Sequence, residues 1–306
     1  MTHWTFTRNK AVRALFVLGM LVGCAAPRET PQPEAPSVTQ AAQTGPESAT
    51  PASTGGKVRH IGNAGLLIEQ GSTKILFDPL YRNGYNNYHL VPEGVKQAVI
   101  AGEAPYDNID AVLISHAHGD HFDAVDLIAF HAGNPEALII APQQAIETLE
   151  VTGNVTEAMR ARFVPMGLEY GADPLKVEFE DLQVEAVRIP HAGGPARRAL
   201  ENLVYRVTLE GAATVMHMGD ADPALEHFTP YSEHWNARAT DTAFPPYWFF
   251  LSAEGIQIVD DVLNTGDAIG VHVPVIIPDP LIVSGRNFFG DPGGVRRIVP
   301  APKGAN

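Results

Sequence analysis

The chain has one cysteine in 306 residues, Cys24. A disulfide framework, a Cys-x-x-Cys site and a thiolate metal ligand after residue 24 are therefore all excluded. Basic residues are also scarce: 21 Lys and Arg face 35 Asp and Glu, a formal net charge of −14. Such an acidic surface repels phosphate backbones, so nucleic acid is not an expected partner. No apolar run reaches the roughly 20 residues that span a bilayer. There is no Gly-x-Ser-x-Gly elbow, no Gly-x-x-x-x-Gly-Lys-Ser/Thr loop and no Gly-x-Gly-x-x-Gly fingerprint. Serine hydrolase, P-loop and dinucleotide chemistry thus have no support.

The ends of the chain differ from its body. Arg8, Lys10 and Arg13 precede the apolar stretch Ala14 to Val22, which has the length of a signal-peptide core. That stretch closes on Leu21-Val22-Gly23-Cys24, which resembles a bacterial lipobox. Residues 1–23 are read as a lipoprotein signal peptide and Cys24 as the lipidated new N-terminus. An ordinary secretory signal or an uncleaved anchor are the alternatives. Residues 24–56 are rich in Pro, Ala, Thr, Gln and Ser, with almost no large apolar side chain to offset their ordering entropy. They are expected to be a disordered tether. The expected location is the bacterial cell envelope, with Ala25 favouring the periplasmic face of the outer membrane. Loss of the signal would remove three bases and no acid, leaving 18 basic residues against 35 acidic ones.

Residues 57–306 are long enough for one sizeable domain. Val58 to Ile61, Leu66 to Glu69 and Ile75 to Asp78 are β-branched or apolar runs parted by Gly-rich turns, the pattern of a β-meander. Asp110 to Ser115 predicts a buried strand, Phe122 to His131 a helix and Leu138 to Ala141 a strand. Gln143 to Leu149 and Val155 to Arg162 predict helices. Strands follow at Val177 to Phe179, Leu182 to Ile189, Asn202 to Leu209 and Ala213 to Met218. Pro223 to Phe228 predicts a short helix, and Ala253 to Leu263 a helix capped by Ser252. Ala268 to Val273 predicts a last strand. Two strand-rich halves that each end in helices suggest α/β architecture, with two sheets face to face and helices outside.

His116-Ala117-His118-Gly119-Asp120-His121 carries most of the chemical information. Three imidazoles and a carboxylate fall within six positions where a strand ends and a helix begins. Those groups are the usual nitrogen and oxygen ligands of zinc and related ions. Three later strand ends carry further candidates: His191 before Ala192-Gly193-Gly194, Asp220 after Met216-His217-Met218-Gly219, and His272 before Val273-Pro274. Loops leaving a rigid sheet are where functional side chains concentrate.

The ordered series His-x-His-x-Asp-His, lone His, Gly-Asp and C-terminal His resembles the metallo-β-lactamase superfamily over about Val58 to Pro274. The openings His60-Ile61-Gly62-Asn63-Ala64-Gly65-Leu66-Leu67-Ile68-Glu69 and Ile75-Leu76-Phe77-Asp78-Pro79 are similar to the branch of ascorbate-6-phosphate lactonases and N-acylphosphatidylethanolamine phospholipases. Many of that branch have His where this chain has Asn63. The resemblance implies an αββα sandwich of two mixed sheets. It also implies two divalent ions, zinc by default with iron or manganese possible. His116, His118 and His191 would hold the first ion, and Asp120, His121 and His272 the second. Asp220 would bridge them, with Asp78 supporting the ligands from behind. A metal-bridging hydroxide would attack an ester, lactone, amide or phosphodiester, with Asp120 orienting it. The expected substrate is a small or lipid-like molecule.

Quieter readings stand beside these. His191 could be a satisfied turn histidine, His272 a core histidine, and Asp220 a helix cap. Asp222 reads as the better cap and His217 as structural, while His60 could approach the metals or not. The run Phe244-Pro245-Pro246-Tyr247-Trp248-Phe249-Phe250 reads as a core strand end, or as an apolar wall beside the metals or a lip facing lipid. Tyr85, Tyr88 and His89 could form the opposite wall. Two other functional classes remain: an envelope zinc carrier without turnover, and a di-iron oxidoreductase. Relatives of the latter class typically carry an acidic residue where Ala117 or His118 stands, together with a flavin domain.

Overall fold

The structure, a computed structural model, describes residues 55–301. The expected signal peptide, Cys24 and nearly all of the expected tether lie outside the described residues. The expected meander forms as β1 (Lys57–Gly62), β2 (Gly65–Gln70) and β3 (Thr73–Phe77). The turn Gly62-Asn63-Ala64-Gly65 is tight: Asn63 has φ 42°, and a Cβ on Gly62 would stand 2.6 Å from the Tyr81 hydroxyl. A helix not anticipated from sequence, α1 (Glu93–Ala101), follows and stops at the left-handed Gly102. β4 (Ala111–Leu113) then feeds the histidine cluster, and α2 (Ala124–Gly133) starts on Asp123, whose carboxylate accepts from the Asp126 N–H. β5 (Leu138–Ala141), α3 (Gln143–Thr152) and the short α4 (Glu157–Arg160) follow. The predicted helix to Arg162 is cut short, and Phe163–Pro165 pairs with β5 as β6.

The second half contributes β7 (Leu175–Glu178), β8 (Leu182–Arg188), β9 (Leu203–Leu209) and β10 (Ala213–His217). α5 (Ser232–Asn236) and β11 (Thr240–Phe244) come next. The aromatic run is not a continuing strand: after β11 it turns into a 3-10 helix, Tyr247–Leu251. α6 (Ala253–Gln257) is capped by Ser252 as expected and runs into one π turn, Ile258–Val262. β12 is Thr265–Ala268, so the predicted final strand is displaced. Residues 269–273 make isolated bridges, and His272 adopts φ 58°, a conformation incompatible with a strand. α7 (Asp279–Val283) and β13 (Val295–Arg297) complete the described elements.

The strands form two mixed sheets, ordered β13-β1-β2-β3-β4-β5-β6 and β12-β11-β10-β9-β8-β7. β3, β4, β5 and β6 pair in parallel while β1, β2 and β3 pair antiparallel. In the second sheet β7 to β10 are antiparallel and β10, β11 and β12 parallel. Leu66, Phe77 and Ile140 of the first sheet meet Val184, Tyr205 and Val215 of the second in one buried core. A second cluster joins the outer face of the first sheet to α1, α2 and α3 through Leu76, Val99, Leu127 and Leu149. A third joins the outer face of the second sheet to its helices through Val204, Met216, Trp235 and Ile258. The result is the αββα sandwich expected from sequence. No helix among the described residues is long and apolar enough to cross a membrane.

Candidate metal centre

All seven candidate ligands converge at one edge of the sandwich. His116, His118, Asp120 and His121 leave β4 on a single loop. His191 follows β8, Asp220 follows β10, and His272 lies beyond β12. They fall into two sets that share Asp220: His116, His118, His191 and Asp220, and Asp120, His121, Asp220 and His272. In the first set, His118 Nδ1 stands 3.2 Å from His116 Nε2 and 3.1 Å from His191 Nε2. Asp220 Oδ2 is 3.2 Å from His191 Nε2 and 3.9 Å from His116 Nε2. In the second, Asp220 Oδ1 is 3.2 Å from both His121 Nε2 and His272 Nε2. Asp120 Oδ2 lies 3.2 Å from His272 Nε2 and 3.8 Å from His121 Nε2.

These donor sets fit divalent ions. Four ligand atoms about 2.0–2.1 Å from a tetrahedral ion are about 3.3–3.4 Å apart, close to the spacing within each set. Asp120 Oδ1, Asp220 Oδ1 and His121 Nε2 are buried without a hydrogen-bond partner. An orphaned carboxylate oxygen and an imidazole lone pair aimed at the same point are costly unless a cation lies between them.

A shared support stands behind both sets. Asp78, fully buried, accepts from the Ser115 N–H at 2.7 Å, the Ser115 hydroxyl at 2.6 Å and His121 Nδ1 at 2.8 Å. The Ser115 hydroxyl thereby points at Asp78, and its oxygen accepts from His116 Nδ1 at 3.0 Å. One carboxylate thus fixes the tautomer of a ligand in each set, leaving both Nε2 lone pairs free. His191 Nδ1 is fixed separately, donating to the Ala192 carbonyl at 2.6 Å.

The charge balance differs between the two sets. Burial, the neighbouring His121 and other imidazoles hold His116 well below its ordinary range, and burial with His191 lowers His118. Neutral imidazole is the ligating form. Burial opposes charge on His121 and His272 too, but Asp220 and its companion carboxylates outweigh it and raise both. Burial likewise opposes the charge of Asp220, yet His272 and His121 drive it well below its ordinary value. The second set therefore demands positive charge, which a divalent ion can supply in place of protons.

Residues without a sequence signal complete the centre. Asn202, fully buried, accepts from the Asp220 N–H at 2.9 Å and donates to the Ile189 and Met218 carbonyls. It ties together the ends of β8 and β10. Gly219 has φ 54°, and a Cβ there would lie 2.4 Å from Asn202 Oδ1 and 2.7 Å from Ser115 Cβ. Only glycine lets the strand end approach that closely.

Asp222 accepts from the Ala224 N–H at 3.1 Å and is a turn residue. His217 faces the Ala64 carbonyl at 2.9 Å and stacks on Phe77, a structural role. His60 lies between the carbonyls of Asn63 and Asp291 and stacks on Phe289, supporting the β1–β2 turn. His89 lies 3.4 Å from the Asp291 carboxylate. Tyr88 and Trp248 both pack edge-on against His272, with ring centroids 4.1 and 5.2 Å away. Trp248 also donates to the Ala221 carbonyl at 3.0 Å. The aromatic run and the Tyr-rich loop thus reach the centre at these two side chains. Burial, followed by Asp220, pushes the Tyr88 hydroxyl up to about 12, so it remains a donor across the neutral range.

Residues 57–231 match the beta-lactamase superfamily domain. The chain belongs to that superfamily. A metal-dependent hydrolase of Pyrococcus furiosus is 29% identical over 167 residues, which is 54% of this chain and 61% of the relative. The alignment therefore spans only about three-fifths of that relative's length. A protein of Mycobacterium tuberculosis is 30% identical over 226 residues, 73% of this chain and 86% of its own. The superfamily's fold recurs in Igni18, a metallo hydrolase of Ignicoccus hospitalis, with TM-score 0.54 and 17% identity over 79% of this chain and 98% of that one. The isothiocyanate hydrolase from Delia radicum gut bacteria gives TM-score 0.54 at 13% identity, over 79% of this chain and 99% of its own. At such identities these structures bear on fold alone.

Proposed function

We propose that the protein is a dinuclear metal-dependent hydrolase of an ester, lactone, amide or phosphodiester. The observation that carries this reading is Asp220, whose two carboxylate oxygens face two different histidine sets. His116, His118 and His191 would hold one ion, Asp120, His121 and His272 the other, and Asp220 both. Zinc is the default ion for such ligands, with iron or manganese also compatible. Ions bound there would supply a nucleophilic hydroxide at neutral pH and polarise the oxygen under attack.

The chain's own groups have distinct parts in this reading. Asp78 and Ser115 orient His116 and His121, and Asn202 fixes the backbone of Asp220. Asp120 is the catalytic residue: its Oδ2 joins the ligand set, while its buried and unpartnered Oδ1 can hold a proton of the attacking water. Tyr88 and Trp248 cover one side of His272 and exclude solvent from it. We place the enzyme in the cell envelope, tethered to the membrane through a lipidated Cys24, where it meets small or lipid-like substrates.

Metal analysis of the purified protein combined with a panel of lactones, carboxylic esters and phosphodiesters tests the reading. We expect two ions per chain and metal-dependent turnover. Protein free of metal, or His116→Ala and Asp120→Ala that both leave every rate unchanged, would sink it.

A further inference from the structure

The connection from β3 to α1 makes one tight turn beside the metal centre. The Asn87 N–H donates to the Gly84 carbonyl at 2.8 Å, and the two residues between them, Tyr85 and Asn86, have φ 49° and 55°. Two central residues at positive φ are the pattern of a type I′ turn, which Gly, Asn and Asp fill with least strain. Asn86 fits that rule. Tyr85 breaks it, because a bulky side chain in the left-handed region crowds its own backbone. Tyr85 is also 54% exposed, and its hydroxyl has no hydrogen-bond partner among the described residues. The bond that holds the residue, from its backbone N–H to Asn83 Oδ1 at 2.8 Å, would serve any side chain. A strained residue whose side chain gains so little from the fold points to a use outside it.

The turn is fixed at both ends to segments that carry ligands. The Asn83 N–H donates to the Gly119 carbonyl at 3.0 Å, and the Tyr85 hydroxyl stands 3.6 Å from where a Cβ on Gly119 would lie. Gly119 joins His118 of the first ligand set to Asp120 of the second. At the other end the Val275 N–H donates to the Asn87 carbonyl at 2.8 Å, Tyr88 bridges Pro274, and the Tyr88 ring packs on His272. Gly84 permits the closure, since a Cβ there would lie 2.4 Å from the Tyr88 carbonyl oxygen. The turn therefore reaches from the ligand loop after β4 to the segment after His272. Its free hydroxyl stands beside the junction of the two sets.

We propose that Tyr85 is a substrate-binding residue whose hydroxyl donates a hydrogen bond to an oxygen of the molecule held at the metal centre. The inference rests on the hydrolase reading above. The contact is made in the ground state and the transition state alike, so it lowers KM and leaves kcat unchanged. The left-handed backbone at Tyr85 is retained because it presents the hydroxyl beside Gly119, and the fold itself would be more stable without it.

The test compares Tyr85→Phe, which removes only the hydroxyl, with Tyr85→Asn, which suits the turn. The zinc-loaded full chain is assayed on p-nitrophenyl acetate and bis(p-nitrophenyl) phosphate, and acetate and inorganic phosphate are titrated as ligands by calorimetry. For Tyr85→Phe we expect KM for the better substrate to rise about 3- to 10-fold, with kcat within about twofold. The better ligand should weaken by a similar factor, and the melting temperature of the metal-free protein should hold. Tyr85→Asn should lose the same binding, yet raise that melting temperature by about 2–4 °C. A tyrosine that only braced the turn gives the opposite sign, so a lower melting temperature in Tyr85→Asn overturns the proposal. Unchanged KM together with unchanged ligand affinity in Tyr85→Phe overturns it as well. Zinc-loaded protein that hydrolyses neither substrate counts against the hydrolase reading. The ligand titrations then decide Tyr85 alone, and wild-type protein that binds neither ligand overturns its role too.

Discussion

The side-chain amide of Asn63 donates to the backbone carbonyl of Asp120 at 3.0 Å, while the Asn63 carbonyl accepts the His272 N–H at 3.2 Å. One residue on the β1–β2 turn therefore holds two members of the second ligand set, which are 152 positions apart in the chain. His60, donating toward the same carbonyl at 2.9 Å, braces the turn from behind.

Asn63→Ala keeps the backbone carbonyl that accepts from His272 and removes only the side-chain bond to Asp120, so it should act on one ion only. For Asn63→Ala we expect the weaker zinc equivalent to lose about 10- to 100-fold in affinity, the usual effect of losing a group that orients ligands. The tighter equivalent, if it occupies the His116, His118 and His191 set, should be unchanged. Calorimetric zinc titration resolves the two. Equal loss at both would show that Asn63 supports the whole centre.

Asp78 should behave differently, because it reaches His121 directly and His116 through the Ser115 hydroxyl. Asp78→Asn should weaken both zinc equivalents together, by about 10- to 100-fold each. Competition against a chromophoric chelator measures this, and a change confined to one equivalent would contradict the relay through Ser115.

Gly219→Ala should destabilise the fold by about 2–4 kcal/mol, combining left-handed backbone strain with overlap against Asn202 and Ser115. Gly211 also has positive φ, at 63°, but a Cβ there meets nothing within 4 Å. Gly211→Ala should cost only about 1 kcal/mol. Urea unfolding of the two variants separates strain from collision.

His234 gives a pH dependence that does not involve the metal centre. Burial, with Arg206 next, lowers its pKa to about 4 in the folded protein. The unfolded chain, near 6.5, then binds a proton that the folded one refuses. The contribution of this group is intact above about pH 6.5, is lost as pH falls towards 4, and is level below that. His234→Gln should remove this part of the acid slope in melting temperature. An unchanged slope would mean that the imidazole protonates in the folded state.

The seven side chains gathered at the centre were legible because four crowd the loop after one apolar run, the other three stand at the ends of later ones, and His and Asp are rarely grouped so densely without a ligand. The sandwich was legible from its alternating runs. The supports were not. Ser115, Asn202 and Gly219 are common residue types, and their roles arise from the approach of β4, β9 and β10, which no local pattern records. α1 was missed although Val95, Ala98 and Val99 stand at helical spacing; only Val99 of its nine residues is buried. His272 was expected on a strand. Its apolar neighbours pack as a strand's would, but the positive φ that aims the imidazole is set by tertiary contact.

Four of the gathered side chains leave the first sheet on the β4–α2 loop, and three leave the second. An ion bound to both groups would be a mechanical fastener as much as a chemical reagent. The sheets are otherwise joined by their apolar faces and by a few hydrogen bonds, among them the Leu203 N–H to the Ser115 carbonyl at 3.0 Å and the Tyr205 hydroxyl to the Ile114 carbonyl at 3.1 Å. With the edge riveted, shear between the layers would strain metal bonds. Metal loading should then raise the melting temperature of the shared core, and chelation should lower it.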